Sequence, residues 1–370
     1  MSVRRRAVAR IDGGAFRRNV ARVAGEAPRT ELCAVVKADG YGHGAVGSAR
    51  AALAGGATWL AVATAAEAIS IRDAGIDARL IVLGALSDSE LPQALACDVD
   101  LVVWREQQVA RIAALGGARL HVKLDTGMGR LGTRDVEEAS RVATAAATTA
   151  TTTLAGLMTH FATADERGDR FFSEQLERFR AWALPLRERH PQALLHAANS
   201  AALLRDPASH FDLVRPGVAL YGMDPFGEDP DEHRLEPVLR VESYVAEVKP
   251  CVAGESVGYG RRFVAARATW VATVPVGYGD GWRRALSGVG NVLVRGRRFP
   301  IVGAVSMDNV TLDLGPDGAG VRVGDEAVLL GSQGAERILA EHVAEEIGTI
   351  NYEVTCGLGS RIPRVHEEVG

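Results

Sequence analysis

The sequence predicts an α/β chain: an N-terminal (β/α)8 TIM barrel followed by a mostly β C-terminal domain. Three observations carry this. Between residue 31 and about 222, short apolar runs alternate with alanine-rich helical stretches. Most of those runs are continuous rather than alternating, as strands buried on both faces of a parallel sheet must be. After about residue 235 the texture changes to strands separated by Gly- and Pro-containing turns. Residues 1–235 are therefore assigned to the barrel and 236–370 to the β domain.

Taken in order, the barrel strands fall at Leu32–Lys37, Trp59–Ala63, Leu80–Leu83, Leu101–Trp104, Leu120–Leu124, Leu154–His160, Leu194–Ala198 and Leu213–Tyr221. Helix starts such as Ser87-Asp88-Ser89-Glu90 and Thr133-Arg134-Asp135-Val136 fit between them. Eight βα units in succession favour a closed barrel over an open doubly wound sheet, which usually has fewer strands. The second domain reads as strands at Val238–Val248, Ala268–Val276, Asn291–Val294, Arg298–Val305, Val310–Leu314 and Ala327–Leu330, then a helix over Glu336–Ile347. Val3–Ile11 alternates like a strand before a helix start at Asp12, and joins either domain.

Composition narrows the function classes. The chain is 47% hydrophobic and 24% charged, with a net charge of −4 and interspersed signs, which is no nucleic-acid surface. The start Met1-Ser2-Val3-Arg4-Arg5-Arg6 resembles the charged end of a signal peptide. Arg10, Asp12, Arg17 and Arg18 interrupt any apolar core behind it. No apolar run approaches the roughly 20 residues of a membrane span, so a cytoplasmic location is expected. The four cysteines (Cys33, Cys97, Cys251 and Cys356) lie far apart with no CxxC pair, and read as buried free thiols rather than a metal site or disulfide framework. Only Lys37, Lys123 and Lys249 of the 42 basic residues are lysines.

A barrel of this kind gathers its chemistry at the C-terminal tips of its strands. The first tip is Lys37-Ala38-Asp39-Gly40-Tyr41-Gly42-His43-Gly44 and the fifth Lys123-Leu124-Asp125-Thr126-Gly127-Met128-Gly129-Arg130. The sixth is Thr159-His160-Phe161, the seventh Asn199-Ser200 and the eighth Arg215-Pro216-Gly217-Val218. A lysine ending a buried strand often only snorkels to solvent. Here the glycine-rich loop beside Lys37 lets backbone amides approach a phosphate, Tyr41 offers a donor, and apolar surroundings favour the neutral amine that forms Schiff bases. Gly42-His43-Gly44-Ala45-Val46-Gly47 also fits GxGxxG, with Glu67 twenty residues beyond. Gly127-Met128-Gly129-Arg130-Leu131-Gly132 fits it too, and Lys37-Ala38-Asp39 stands where the tight first turn should be. A dinucleotide site is therefore set aside.

The run Ala34-Val35-Val36-Lys37-Ala38-Asp39-Gly40-Tyr41-Gly42-His43-Gly44 resembles the pyridoxal-phosphate signature of bacterial alanine racemases. So, in order, do Leu124–Arg130, Thr159-His160-Phe161-Ala162, Asn199-Ser200, Arg215-Pro216-Gly217, Tyr221-Gly222, Val257-Gly258-Tyr259-Gly260, Gly277–Gly281, Met307-Asp308 and Asn351-Tyr352-Glu353. The resemblance implies a fold type III enzyme working as a head-to-tail homodimer on a small amino acid. It implies that Lys37 holds pyridoxal 5'-phosphate as an aldimine and acts as the base for the D-isomer. Tyr259 of the partner subunit would be the base for the L-isomer. It places Tyr41, Asn199, Ser200, Gly217, Val218 and Tyr352 around the phosphate, Arg215 at the pyridine nitrogen and His160 against the ring. Arg130 and the partner's Met307 would receive the substrate carboxylate. Lys123 would be a carbamate orienting Arg130, and Tyr278, Arg284, Tyr352 and Asp308 would shape the entrance.

Physical chemistry is consistent with these roles. Two bases on opposite faces of a planar carbanion suffice for racemisation. A phenol has an ordinary pKa of about 10, so Tyr259 needs cationic neighbours, for which Arg130 and His160 are the candidates. A guanidinium only donates, so Arg215 leaves the pyridine nitrogen unprotonated.

Each residue also has a plainer reading. Tyrosines in Gly-Tyr-Gly turns often only pack, His160 fits a satisfied core histidine, and Lys123 fits a pair with Asp125 or Glu138; Cys356 and Trp282 read as packing. Ser306 and Gly279 depart slightly from the family pattern near the entrance. The function expected is supply of D-alanine for peptidoglycan. Its alternatives are a racemase of broader scope, taking serine or larger amino acids, and a non-catalytic pyridoxal-phosphate carrier. The carrier would lack the second domain, and a decarboxylase would need a cysteine- and aspartate-bearing site that the chain does not show.

Overall fold

The computed structural model describes residues 5–367, so Val3 and Arg4 of the expected first strand lie outside the described residues. The chain divides into two compact units: Phe16–Phe226, and residues 5–15 together with 227–367.

The first unit is the barrel. Its strands are β2 (Glu31–Val35), β3 (Trp59–Val62), β4 (Arg79–Val82), β5 (Asp100–Val103), β6 (Arg119–Lys123), β7 (Thr153–Met158), β8 (Leu194–His196) and β9 (Leu213–Val214). Among the described residues they form a parallel sheet in the order β8-β7-β6-β5-β4-β3-β2-β9. Backbone bonds bridge the remaining seam: Asp212 N–H donates to the Leu195 carbonyl (3.0 Å) and Arg215 N–H to the Ala198 carbonyl (2.9 Å). The continuous apolar runs are buried throughout, as Trp59, Leu60, Ala61 and Val62 illustrate.

The eighth strand is far shorter than the expected Leu213–Tyr221. Pairing continues to Pro216, whose carbonyl accepts from Val35 N–H (3.0 Å). Gly217 then leaves the extended region (φ −123°, ψ −89°) and a 3-10 turn follows over Val218–Tyr221. Helix starts follow the side chains that satisfy first-turn amides. Asp135 accepts from Glu137 and Glu138 N–H ahead of Val136–Thr148, and Thr64 and Glu67 form a capping box ahead of Ala65–Asp73. Helix Phe171–Arg189 buries Phe172, Leu176, Phe179, Ala183 and Leu186 at intervals of three and four, which is one helical face.

The second unit contains β1 (Val8–Asp12), β10 (Leu239–Tyr244), β11 (Glu247–Cys251), β12 (Ser256–Val257), β13 (Phe263–Val264), β14 (Thr269–Val274), β15 (Asn291–Val294), β16 (Arg297–Val302), β17 (Val310–Gly315), β18 (Glu326–Gln333), β19 (Glu336–Ile338) and β20 (Arg364–Glu367). Ten of these form one sheet among the described residues, in the order β11-β14-β17-β16-β15-β18-β10-β1-β20, with β19 on β18. β1 thus belongs to this unit, antiparallel to β10 and parallel to β20. The expected single strand Val238–Val248 is two, β10 and β11. The expected helix Glu336–Ile347 begins as a strand: Gly334, at φ +66°, turns the chain back on β18, and the helix spans Ala340–Ile347. Of the four thiols, Cys33 and Cys251 are buried, but Cys97 is half-buried and Cys356 exposed, so Cys356 is not a packing residue. Trp282 is buried. No helix among the described residues is long and apolar enough to cross a membrane, and no group of side chains there has the make-up of a metal site.

Candidate active site

Strand β2 ends at Val35, two residues before Lys37, which departs from the expected strand end. Lys37 opens a turn in which Ala38, Asp39, Gly40 and Tyr41 all have φ between +51° and +62°. A left-handed turn costs a non-glycine residue roughly 1–2 kcal/mol, so its surroundings must hold it. Gly40 N–H donates to the Val36 carbonyl (2.9 Å) and Gly42 N–H to the Ala38 carbonyl (3.0 Å). Glu67 accepts from Ala38 N–H (2.6 Å) and from Ala63 N–H (2.7 Å), fastening the turn to the end of β3. Asp39 accepts from Ala45 N–H (2.8 Å) at the start of helix Ala45–Ala54. Glu67 therefore caps and anchors, which disposes of its ribose-binding reading.

Beside this turn lies a small hydroxyl-lined cradle. The Tyr41 and Tyr221 rings lie 4.9 Å apart, and the Tyr221 hydroxyl donates to the Val35 carbonyl (3.0 Å). A Cβ placed at Gly217 would sit 2.2 Å from Tyr41 Oη, so only glycine admits that hydroxyl. Ser200 Oγ accepts from Gly217 N–H (2.9 Å) and Ala219 N–H (3.3 Å), fixing the backbone on either side of the buried Val218. Asn199 caps the short helix Ser200–Arg205 by accepting from Ala202 N–H (2.9 Å).

The same barrel end carries a cationic cluster. Arg215 is buried and donates to the Thr159 carbonyl (2.8 Å), the Ala197 carbonyl (2.9 Å) and His196 Nδ1 (2.7 Å), bonds that use Nη1 and Nη2 and leave Nε–H. Burial pulls its pKa down to about 10. Burial, then Arg215 and Arg130, bring the Lys123 amine down to about 8. Asp125 pairs instead with Arg134 and Glu138 with Arg105, and the charge of Asp125 offsets the lowering of Lys123 only in part. Burial and the charges of Arg215, Lys123, Arg130 and Lys37 hold His160 well below the ordinary imidazole range. His160 is thus neutral near pH 7. The expectation that it supplies positive charge to a tyrosine is corrected; Arg130, the other expected source, lies on the exposed glycine turn after β6.

Several residues of this site escaped the sequence reading. Gln175, buried on helix Phe171–Arg189, donates to Thr126 Oγ1 (3.1 Å) and the His160 carbonyl (3.2 Å) and accepts from Ala162 N–H (2.8 Å). His196, His121 and Asp100 continue inward from Arg215. Their signal was a titratable side chain inside an otherwise apolar strand, in Leu120-His121-Val122 and Leu194-Leu195-His196.

The remaining expected residues belong to the β unit. Tyr259 is 74% exposed, in the turn of the β12–β13 hairpin. Tyr278 and Met307 are 43% and 53% exposed and share one pair of turns: Tyr278 N–H donates to the Ser306 carbonyl (3.0 Å) and Gly279 N–H to the Met307 carbonyl (2.8 Å). Buried Asp280 anchors this pair through Arg6 and Arg361, and Arg361 also donates to Asp308 (2.6 Å). Arg284 is exposed, and Tyr352 is half-buried on helix Asn351–Cys356.

Comparison with known proteins matches the family model "Alanine racemase, N-terminal domain" to residues 11–225 and "Alanine racemase, C-terminal domain" to residues 238–366. The chain is 42% identical to the alanine racemase of Desulforamulus reducens, over 92% of each protein. It is 40% identical to alanine racemase 1 of Bacillus subtilis, over 98% of this chain and 93% of the relative. Among solved structures it is similar to the alanine racemase of D-cycloserine-producing Streptomyces lavendulae, with a TM-score of 0.94 at 38% identity over 100% and 98% of the two chains. It is also similar to the Bacillus anthracis alanine racemase with bound L-Ala-P, with a TM-score of 0.90 at 36% identity over 100% and 96%.

Proposed function

The chain belongs to the alanine racemase family, and we propose that Lys37 and the partner subunit's Tyr259 are the two bases with which it interconverts L-alanine and D-alanine. The observation that carries this is the grouping at one barrel end of a lysine on a strained turn, a hydroxyl-lined cradle and a donor-only guanidinium. These residues fit pyridoxal 5'-phosphate. Its aldehyde requires an amine, which Lys37 offers. Its phosphate requires donors beside small residues, which Tyr41 and Ser200 supply around Gly217 and Val218, and the family resemblance adds Asn199 and Tyr352 to that set. Its pyridine nitrogen accepts one hydrogen bond, and Arg215 has Nε–H to give.

When bound, the cofactor draws electrons from the substrate α-carbon and makes its proton acidic. Lys37 then exchanges that proton on one face and Tyr259 on the other, so each turnover takes a proton from one base and leaves one on the other. Arg130, with Met307 of the partner subunit, receives the substrate carboxylate. Arg130 also supplies the positive charge that a phenol needs to act near neutral pH. His160 packs as a neutral ring. Near pH 8 a substantial fraction of Lys123 is uncharged; its amine adds to carbon dioxide, forming an N–C bond and releasing a proton, and the carbamate orients Arg130. Tyr278, Arg284, Asp308 and Tyr352 form the entrance. The enzyme works as a homodimer with shared sites in the cytoplasm, where its D-alanine feeds peptidoglycan synthesis.

Lys37→Ala is expected to lose both the visible absorbance of the attached cofactor and racemisation; a purified variant that keeps both overturns the assignment. Tyr259→Phe is expected to keep the cofactor and lose racemisation. A chiral assay with a panel of L-amino acids measures the breadth of the substrate range. Incubation with 13C-bicarbonate should give a carbamate carbon resonance that Lys123→Met lacks.

A further inference from the structure

Behind Arg215, four side chains run through the interior of the barrel in one unbroken hydrogen-bonded line. Arg215 Nη1 meets His196 Nδ1 at 2.7 Å, His196 Nε2 meets His121 Nδ1 at 2.8 Å, and His121 Nε2 meets Asp100 Oδ2 at 2.9 Å. All four are buried. The line starts at the first residue of β5, passes the middle of β6 and the last residue of β8, and ends one residue beyond β9. It therefore climbs from the N-terminal end of the barrel to the end that bears Lys37.

Between β6 and β8 the line must cross β7. The residue paired with His121 there is Gly156, and a Cβ on it would lie 2.3 Å from His121 Nδ1. The glycine is thus the gap through which the two imidazoles touch, their rings 4.9 Å apart at 80°. Trp59 also packs edge-on against His121 (5.8 Å).

The direction of every proton in this line is set from its ends. A guanidinium cannot accept, so His196 Nδ1 must, and its proton sits on Nε2. His121 Nδ1 must then accept, which puts its proton on Nε2, facing a carboxylate that only accepts. Both imidazoles are neutral, because burial outweighs the pull of Asp100 on His121 and, with Arg215, drives His196 well down. Burial would raise Asp100, but its bonds to His121, Arg79 and Arg119 outweigh that and hold it near 2. Arg215 has no carboxylate among its own hydrogen-bond partners. The carboxylate nearest along the line is Asp100, and two aligned imidazole dipoles relay its charge.

We propose that Asp100 and His121 are positioning residues for the racemase reaction: through His196 they hold the Arg215 guanidinium in place, with its N–H groups fixed in the direction where the pyridine nitrogen is bound. The function assigned to this line rests on the reading of Arg215 given above. Its proton order rests on the geometry alone.

The test is the histidine tautomer pattern of 15N-histidine-labelled holoenzyme, read by long-range 1H–15N spectra, alongside kcat and KM. In the wild type His121 and His196 should be neutral Nε2–H tautomers at pH 8. Asp100→Asn keeps the shape and removes the charge. It should redistribute a tautomer and lower kcat by on the order of tenfold with little change in KM. Gly156→Ala alters no charge, yet should displace His121 and act in the same direction. If Asp100→Asn lowers the melting temperature but leaves both tautomers and kcat unchanged, Asp100 merely anchors Arg79 and Arg119 and the proposal falls. If the tautomers shift while Lys37→Ala retains racemisation, the relay stands and the reading of the site does not.

Discussion

At Gly217 a single methyl group decides whether Tyr41 keeps its place, because the two cannot occupy the same 2.2 Å. Gly217→Ala should displace the hydroxyl at a cost of roughly 1–3 kcal/mol and weaken pyridoxal-phosphate binding about tenfold, measurable by cofactor fluorescence titration. An unchanged Kd would separate Tyr41 from the phosphate. Lys123 makes a prediction about pH. Its folded pKa of about 8 lies below the ordinary 10.5. The native state therefore resists a proton that the unfolded chain carries, and the penalty is fully present below pH 8 and fades as pH rises through 10.5. In carbon-dioxide-free buffer Lys123→Met should stabilise the apoenzyme by up to about 3 kcal/mol at pH 7 and by almost nothing near pH 10.5. Urea midpoints at the two pH values check this, and a pH-independent difference would refute it. At this scale, legibility followed composition. Lys37 and Lys123 stood out because lysine is rare in this chain and both end apolar runs. His121 did not, since one histidine in a strand looks like any satisfied core residue, and nothing in the string of letters pairs it with Gly156.

Turns and caps carry the next layer. The left-handed turn from Lys37 to Tyr41 is held from outside by Glu67, whose carboxylate takes amide bonds from Ala38 and Ala63. Glu67→Ala should lose about 2 kcal/mol of stability, measured by denaturant unfolding, and loosen the attached cofactor. Glu67→Gln, which retains one acceptor oxygen, should recover part of both. Were Glu67→Ala as stable as wild type, the turn would owe its shape to its internal bonds. The strands were legible because burial on two faces forces long apolar runs. Their ends were not: pattern alone extends β2 to Lys37, whereas four consecutive positive φ angles begin just beyond it. The hairpin carrying Tyr259 was also invisible, since β12 and β13 are two residues each and show no period.

For the whole molecule, the proposed sharing of sites has an arithmetic test. Mixing Lys37→Ala with Tyr259→Phe chains, each inactive alone, should let half the dimers form with one intact site of two, so activity should return to about one quarter of wild type. Sites built within single chains would give no recovery. The two-part organisation was readable from the change of texture near residue 235, but the allegiance of the first strand was not, because an alternating run does not name its neighbour. That strand, β1, lies between β10 and β20, the latter formed by Arg364–Glu367. On the ribosome β1 emerges before the barrel and waits for partners more than two hundred residues away, on the order of ten seconds or more of synthesis. The barrel residues 16–226 are all made within that interval. The order of birth thus lets the barrel fold before the sheet can knit its two ends together, and any pause or truncation late in translation leaves β1 an unpaired edge open to other chains.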